Sequence, residues 1–112
     1  MIATLQSTID VDTSRDSTNQ VVVRLSGQLV ARTAPDVRRA MEAAIGSSSR
    51  RVVIDLMDVT AVDTAGLMAI TAPAMIARRM SVPLTIVPPS RAAARIVLDR
   101  VGVVPILNCF GR

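Results

Sequence analysis

Val52-Val53-Ile54-Asp55-Leu56 constrains this chain more than any other stretch. It is almost unbrokenly apolar and opens with three β-branched residues, the pattern of a buried central strand rather than a half-exposed one. Apolar residues at helical spacing lie on both sides. Upstream, Val37, Ala40, Met41, Ala44 and Ile45 recur at intervals of three and four, with Arg38, Arg39 and Glu42 outside the stripe. Downstream, Asp63 or Thr64 opens a second helix that runs through Ala65 to about Arg79. A buried strand between two helices implies parallel pairing with the helices as crossovers, and Val53 and Ile54 are both expected to be covered.

The remaining segments fit around that unit. Ala3 to Val11 alternates loosely and predicts an edge strand; Thr13 to Asn19 is a polar turn; Val21 to Leu25 reads as a strand stopped by Ser26-Gly27. The two strands, joined by a short loop, are expected to pair antiparallel. Thr33-Ala34-Pro35-Asp36 has the residues of a helix start, with Thr33 as the expected cap and Gly46 with Ser47 to Ser49 as the stop. Val82 to Val87 is a short strand with Pro83 near its beginning, where a lost donor matters least. A third helix over Arg91 to Val101 and a final edge strand over Val103 to Leu107 complete the order ββαβαβαβ, a single α/β domain with a mixed sheet spanning residues 1–112. Pro73 interrupts the second helix, yet Leu67, Ile70, Ala74 and Ala77 keep helical spacing across it, which predicts a bent helix rather than two.

What the chain lacks excludes most enzyme chemistry. It contains no His, Lys, Trp or Tyr; the only thiol is Cys109, the only aromatic ring Phe110 and the only glutamate Glu42. Ser-His-Asp and Cys-His catalysis, Schiff-base or P-loop lysines and His/Cys zinc sites all need residues absent here. No cofactor or metal is expected. Thirteen arginines against nine acids leave a net charge of +4. Spread along the chain, that charge favours solubility over nucleic-acid binding, for which only Phe110 offers a stacking ring. Cys109 reads as a small buried hydrophobe, since no Lys or His lowers its pKa. A single cysteine, no signal-peptide pattern at Met1-Ile2-Ala3-Thr4 and no apolar run long enough to span a bilayer point to the cytoplasm.

The stretch that suggests function is Asp63-Thr64-Ala65-Gly66-Leu67. It follows a buried strand and opens a helix, so the Thr64 hydroxyl is expected at the helix N-terminus, where free N–H groups and the dipole favour anions. A phosphate there adds a charge of about −1.5 to −2 in a position the backbone tolerates. Asp55, Asp58 and Asp63 invite comparison with a magnesium or phospho-aspartate site, but that chemistry wants a lysine; turn and cap roles are the expectation for these acids. The pairs Arg38-Arg39, Arg50-Arg51 and Arg78-Arg79 read as an exposed helix face and helix C-terminus, with an acidic partner as the alternative. Met68, Met75 and Met80 read as core filling, or as an adaptable contact surface if exposed. Gly66 suits either close helix packing or close approach by a partner.

Four blocks, taken in order, resemble the STAS domain, the family of bacterial anti-sigma factor antagonists: Leu25-Ser26-Gly27-Gln28-Leu29, Val52 to Asp58, Asp63 to Leu67, and Ser90 through Gly102. The resemblance covers nearly the whole chain. In the family pattern Asp-Ser-Ser/Thr-Gly-Leu, the hydroxyl residue after the Asp is the phosphoacceptor, which implies Thr64. It further implies a non-enzymatic module that binds an anti-sigma factor, an ATP-dependent serine/threonine kinase, through Asp63, Thr64, Ala65, Gly66 and Leu67 and lets go when phosphorylated. ATP would belong to the partner. One loop departs from the pattern: Gly27-Gln28-Leu29-Val30 stands where the family reads Gly-Glu/Asp-Leu-Asp. A second reading of the same resemblance is a non-phosphorylated accessory or scaffold subunit of a transporter or signalling complex.

Overall fold

The computed structural model describes residues 9–47 and 50–92. The expected third helix and final strand, with Cys109 and Phe110, lie outside the described residues, as does the beginning of the first strand. The described elements follow the expected order: β1 (Ile9–Arg15), β2 (Gln20–Leu29), α1 (Ala34–Ile45), β3 (Arg51–Val62), α2 (Thr64–Arg79) and β4 (Leu84–Val87). They form a mixed four-stranded sheet in the order β1-β2-β3-β4, antiparallel between β1 and β2 and parallel between the other neighbours. Among the described residues, no helix is long and apolar enough to cross a membrane.

Strands β2, β3 and β4 add in one direction across the sheet, and right-handed crossovers then place both connecting helices on the same face. Accordingly α1 and α2 pack on each other. The core lies between them and the alternate residues Val21, Val23 and Leu25 of β2, Val52, Ile54 and Leu56 of β3, and Leu84 and Ile86 of β4. This geometry corrects one expectation. Ile54 is fully buried under the helices, whereas Val53 points to the other face and is only partly buried. A sheet wound in one direction buries one side with its crossovers, not two.

Both central strands run further than their sequences suggest. β2 does not stop at Ser26-Gly27 but continues to Leu29, with Gly27 at φ 115°. β3 continues through what reads as a turn, as far as Val62. The pairing explains how: Arg24 and Ser26 of β2 face Asp55 and Asp58 of β3, and Gly27 and Gln28 face Val59 and Ala61, so β3 carries an extra residue at each of two bulges. The bulges shift the buried positions from Leu56 to Val59, a spacing of three, which hides the strand from a period-two reading.

The hairpin between β1 and β2 is shorter than expected, because Thr13, Ser14 and Arg15 belong to β1. Asp16 organises it: one carboxylate oxygen accepts hydrogen bonds from the Thr18 N–H (2.9 Å), the Thr18 hydroxyl (2.6 Å) and the Gln20 N–H (3.0 Å). These bonds, the Thr18 hydroxyl foremost, hold the Asp16 carboxyl below its usual pKa. Asn19 takes the left-handed conformation that closes the turn (φ 65°).

α2 is a single helix that runs unbroken through a buried Pro73. Ala69, Ile70, Ala74 and Ala77 are buried on both sides of the proline, and that shared apolar face offsets the missing backbone bond. Two residues earlier the Thr71 hydroxyl donates to the Leu67 carbonyl (3.0 Å), a bond back along the helix.

Candidate functional site

Asp63 is the single residue between β3 and α2, and it joins three elements. Its backbone is extended (φ −121°, ψ −179°), the conformation of a helix cap. One carboxylate oxygen accepts from the Gly66 N–H at 2.7 Å and the other from the Ala31 N–H at 3.1 Å. The Asp63 N–H donates to the Leu29 carbonyl (3.1 Å), and the Asp63 carbonyl accepts from the Leu67 N–H (3.0 Å). The first turn of α2 is thereby tied to the loop between β2 and α1. Asp63, not Thr64, is the cap.

Thr64 is the first helical residue and is exposed, as is Ala65. The first N–H groups of a helix have no intrahelical acceptor, and the positive end of the dipole lies there too, so an anion on the Thr64 oxygen is electrostatically favoured. Gly66 and Leu67 turn inward. Leu67 joins the core, and Gly66 is buried with the Leu29 backbone directly against it, closer than a side chain allows. The structure therefore decides the role of Gly66: it serves close packing of α2 on the end of β2. Of the five residues expected to meet a partner, Thr64 and Ala65 are on the surface, Asp63 is a half-buried clamp, and Gly66 and Leu67 lie inside.

The loop facing Asp63 is organised by a residue the sequence assigns elsewhere. Thr33 occupies the cap position of α1, but its backbone is helical and its side chain caps nothing. Instead the hydroxyl, 2% exposed with its residue, accepts from the Val30 N–H (3.0 Å) and lies 2.7 Å from the Gln28 carbonyl, to which it donates. Thr33 thus folds the loop back on itself and presents the Ala31 N–H to Asp63. Gln28 is exposed and Val30 partly buried. Ala31 carries no pattern that marks it in the sequence, and Thr33 is marked there only as a helix cap; the fold alone brings the Ala31 N–H to Asp63.

Of the other two acids, Asp55 has a structural task. Asp55 pairs with Arg24 (3.4 Å) across the strands and accepts from the Met57 N–H (3.0 Å), while Asp58 is exposed. Among the described residues no three His, Cys, Asp or Glu side chains gather as a metal site would require. Arg38 and Arg39 are exposed and pair along α1 with Glu42 (3.1 Å) and Asp36 (3.3 Å). The methionines overturn the core-filling expectation: Met68, Met75 and Met80 are all exposed, together with Ile76.

Comparison with known proteins places this geometry. Residues 8–112 match the family model described as the STAS domain. The fold is similar to the crystal structure of an anti-sigma factor antagonist from Mycobacterium paratuberculosis, at 24% identity, covering 91% of this chain and 84% of that one, with a TM-score of 0.73. It is similar to the anti-sigma factor antagonist SpoIIAA in its unphosphorylated form, at 18% identity over 86% of this chain and 84% of that one, TM-score 0.70. The phosphorylated form of the Bacillus cell fate determinant SpoIIAA gives 17% identity over 90% and 87%, TM-score 0.65. No curated protein matches the chain.

Proposed function

Because the chain belongs to the STAS domain family, we propose that it is an anti-sigma factor antagonist, a binding module rather than an enzyme, whose hold on its partner is switched by phosphorylation of Thr64. The partner is an anti-sigma factor with ATP-dependent serine/threonine kinase activity, met in the cytoplasm, and the outcome is control of sigma-factor-dependent transcription. One observation carries the reading: Thr64 is exposed as the first residue of α2, immediately after an Asp63 that is fixed by two backbone N–H groups. Unmodified, Thr64 and Ala65 offer a partner an uncharged hydroxyl and a methyl group. Phosphate at Thr64 places about two negative charges there, and desolvating them in an interface is costly. Binding and release then follow from charge alone.

The experiment is a pull-down with the wild-type chain and Thr64→Ala, followed by mapping of the phosphate after incubation with ATP and the captured kinase. The expected result is phosphate on Thr64, release of the modified wild type and retention of Thr64→Ala. Phosphate on Thr60 or Thr71 with Thr64 unmodified overturns the assignment. A specific observation favours the accessory-subunit reading: with Gln28 and Val30, residues 26–35 offer no carboxylate beside Thr64. Stable capture of a partner that never modifies the chain selects that reading.

A further inference from the structure

Methionine and leucine divide between surface and core in this chain. Among the described residues Met41 is fully buried, whereas Met57, Met68, Met75 and Met80 are exposed; all five leucines there are buried. On the surface of α2 a leucine would favour the helix as well as a methionine does. What methionine adds is a flexible thioether that takes up oxygen reversibly. Met68 is the most exposed of the four, at 58%. The Thr71 hydroxyl lies 3.9 Å from its sulfur but gives its hydrogen to the Leu67 carbonyl at 3.0 Å. The sulfur lone pairs therefore stay open to an electrophile.

Position gives that sulfur a consequence. Met68 follows Thr64 by four residues and Ala65 by three, the spacings that bring helical side chains together on one face. It shares a cleft of about 330 Å³ with Ala65 and with Ala31, whose N–H Asp63 holds. We infer that Met68 is an oxidation site for hydroperoxides, and that its modification changes the surface around Thr64 while leaving the fold intact. The peroxide O–O bond breaks and one oxygen bonds to the Met68 sulfur, which is oxidised by two electrons. The other oxygen leaves as water, or as an alcohol from an organic hydroperoxide. An apolar thioether one helical turn from Thr64 thereby becomes a polar sulfoxide. Met68 contributes nothing to the buried core, so the change spares it. Methionine sulfoxide reductase with a dithiol reverses the step: the dithiol becomes a disulfide and the oxygen departs as water. The oxidation site stands without any partner; only its effect on binding rests on the Thr64 reading.

Limited treatment of the chain with hydrogen peroxide, followed by peptide mass mapping, tests it. Met68 is expected to take up oxygen well before Met41, with a melting shift under about 4 °C, as for other surface changes. In amide spectra of the isotopically labelled chain, Thr64 and Ala65 are expected to shift when the wild type is treated and to stay in place when Met68→Leu is treated. The kinase captured by the untreated chain is expected to bind the oxidised wild type about tenfold more weakly, the effect of desolvating one unpaired polar group, and to regain it after reductase treatment. Met68→Leu is expected to abolish that sensitivity and Met80→Leu to retain it. Met68→Gln, polar and of similar length, is expected to bind weakly without peroxide, a second reading should oxidation elsewhere disturb the chain. Oxidation of Met41 as fast as Met68, unfolding that Met68→Leu prevents, unmoved Thr64 and Ala65 amides, or undiminished capture of the oxidised chain each overturn the inference. A chain that captures no kinase overturns the Thr64 reading instead, and the mapping and amide spectra still decide the oxidation site.

Discussion

A Cβ atom on Gly66 would stand 1.9 Å from the carbonyl oxygen of Leu29 and 2.4 Å from its carbonyl carbon. The obstacle is backbone, which has no rotamer to yield. Gly66→Ala must therefore push α2 off the end of β2, stretching the bonds from Asp63 to Leu29 and Ala31. Overpacking of this kind costs about 1–3 kcal/mol, and a backbone obstacle sets the expectation at ~3 kcal/mol. Urea unfolding of Gly66→Ala beside Ala65→Gly, an exposed neighbour where the cost is about 1 kcal/mol of helix propensity, makes the comparison.

Asp63→Ala removes a cap and leaves the Ala31 N–H without its acceptor. A lost cap costs about 1 kcal/mol. The Ala31 N–H is exposed, so water replaces its acceptor and only the net value of one hydrogen bond, about 1 kcal/mol, goes with it; ~2 kcal/mol is expected in all. Asp63→Asn retains one accepting oxygen and is expected to lose roughly half of that. Equal losses in the two variants would show that the acceptor retained in Asp63→Asn contributes nothing.

Pro73→Ala restores the N–H that the Ala69 carbonyl lacks. An interior proline costs a helix about 3 kcal/mol, while two buried methylenes contribute about 1.6 kcal/mol by burial, so a net gain of ~1 kcal/mol is expected in thermal or urea unfolding. A net loss would mean that the ring, buried on α2, matters more to packing than the missing bond does to the helix.

The Asp16 carboxyl titrates below 3.8 in the folded chain. Its folded value is depressed, so its contribution is present above the unfolded pKa and fades as pH falls through the folded one. Between pH 5 and 7 the hairpin is therefore expected to be insensitive to pH, and below pH 3.8 amide exchange at Thr18 and Gln20 should quicken as their acceptor protonates. In Asp16→Asn that acid-dependent change should vanish.

The order of elements was legible because Val52 to Leu56 and the stripes of α1 and α2 each carry one unambiguous period. The strand ends were not, because two bulges in β3 replace a period of two by a spacing of three between Leu56 and Val59, and Gly27 continues β2 where a glycine usually ends a strand. At the site, Asp63 and Thr64 stood out as a cap and a hydroxyl beside it. Ala31 and Thr33 did not, since a loop N–H and a buried hydroxyl acquire their roles only when β2 and β3 lie side by side. The expectation for Val53 fails for a topological reason: burial on both faces requires crossovers on both, and among the described residues the two crossovers, α1 and α2, lie on one.

The clamp at Asp63 also bears on how Thr64 can be recognised. An enzyme that binds a linear sequence needs to draw its target into an extended groove, and here that would break the bonds to Gly66, Ala31 and Leu29 and lift a core residue, Leu67, out of the interior. Thr64 is accessible only as part of a shape. A peptide copying residues 58–70 carries the same letters without that shape, and an enzyme acting on Thr64 must read the folded surface instead.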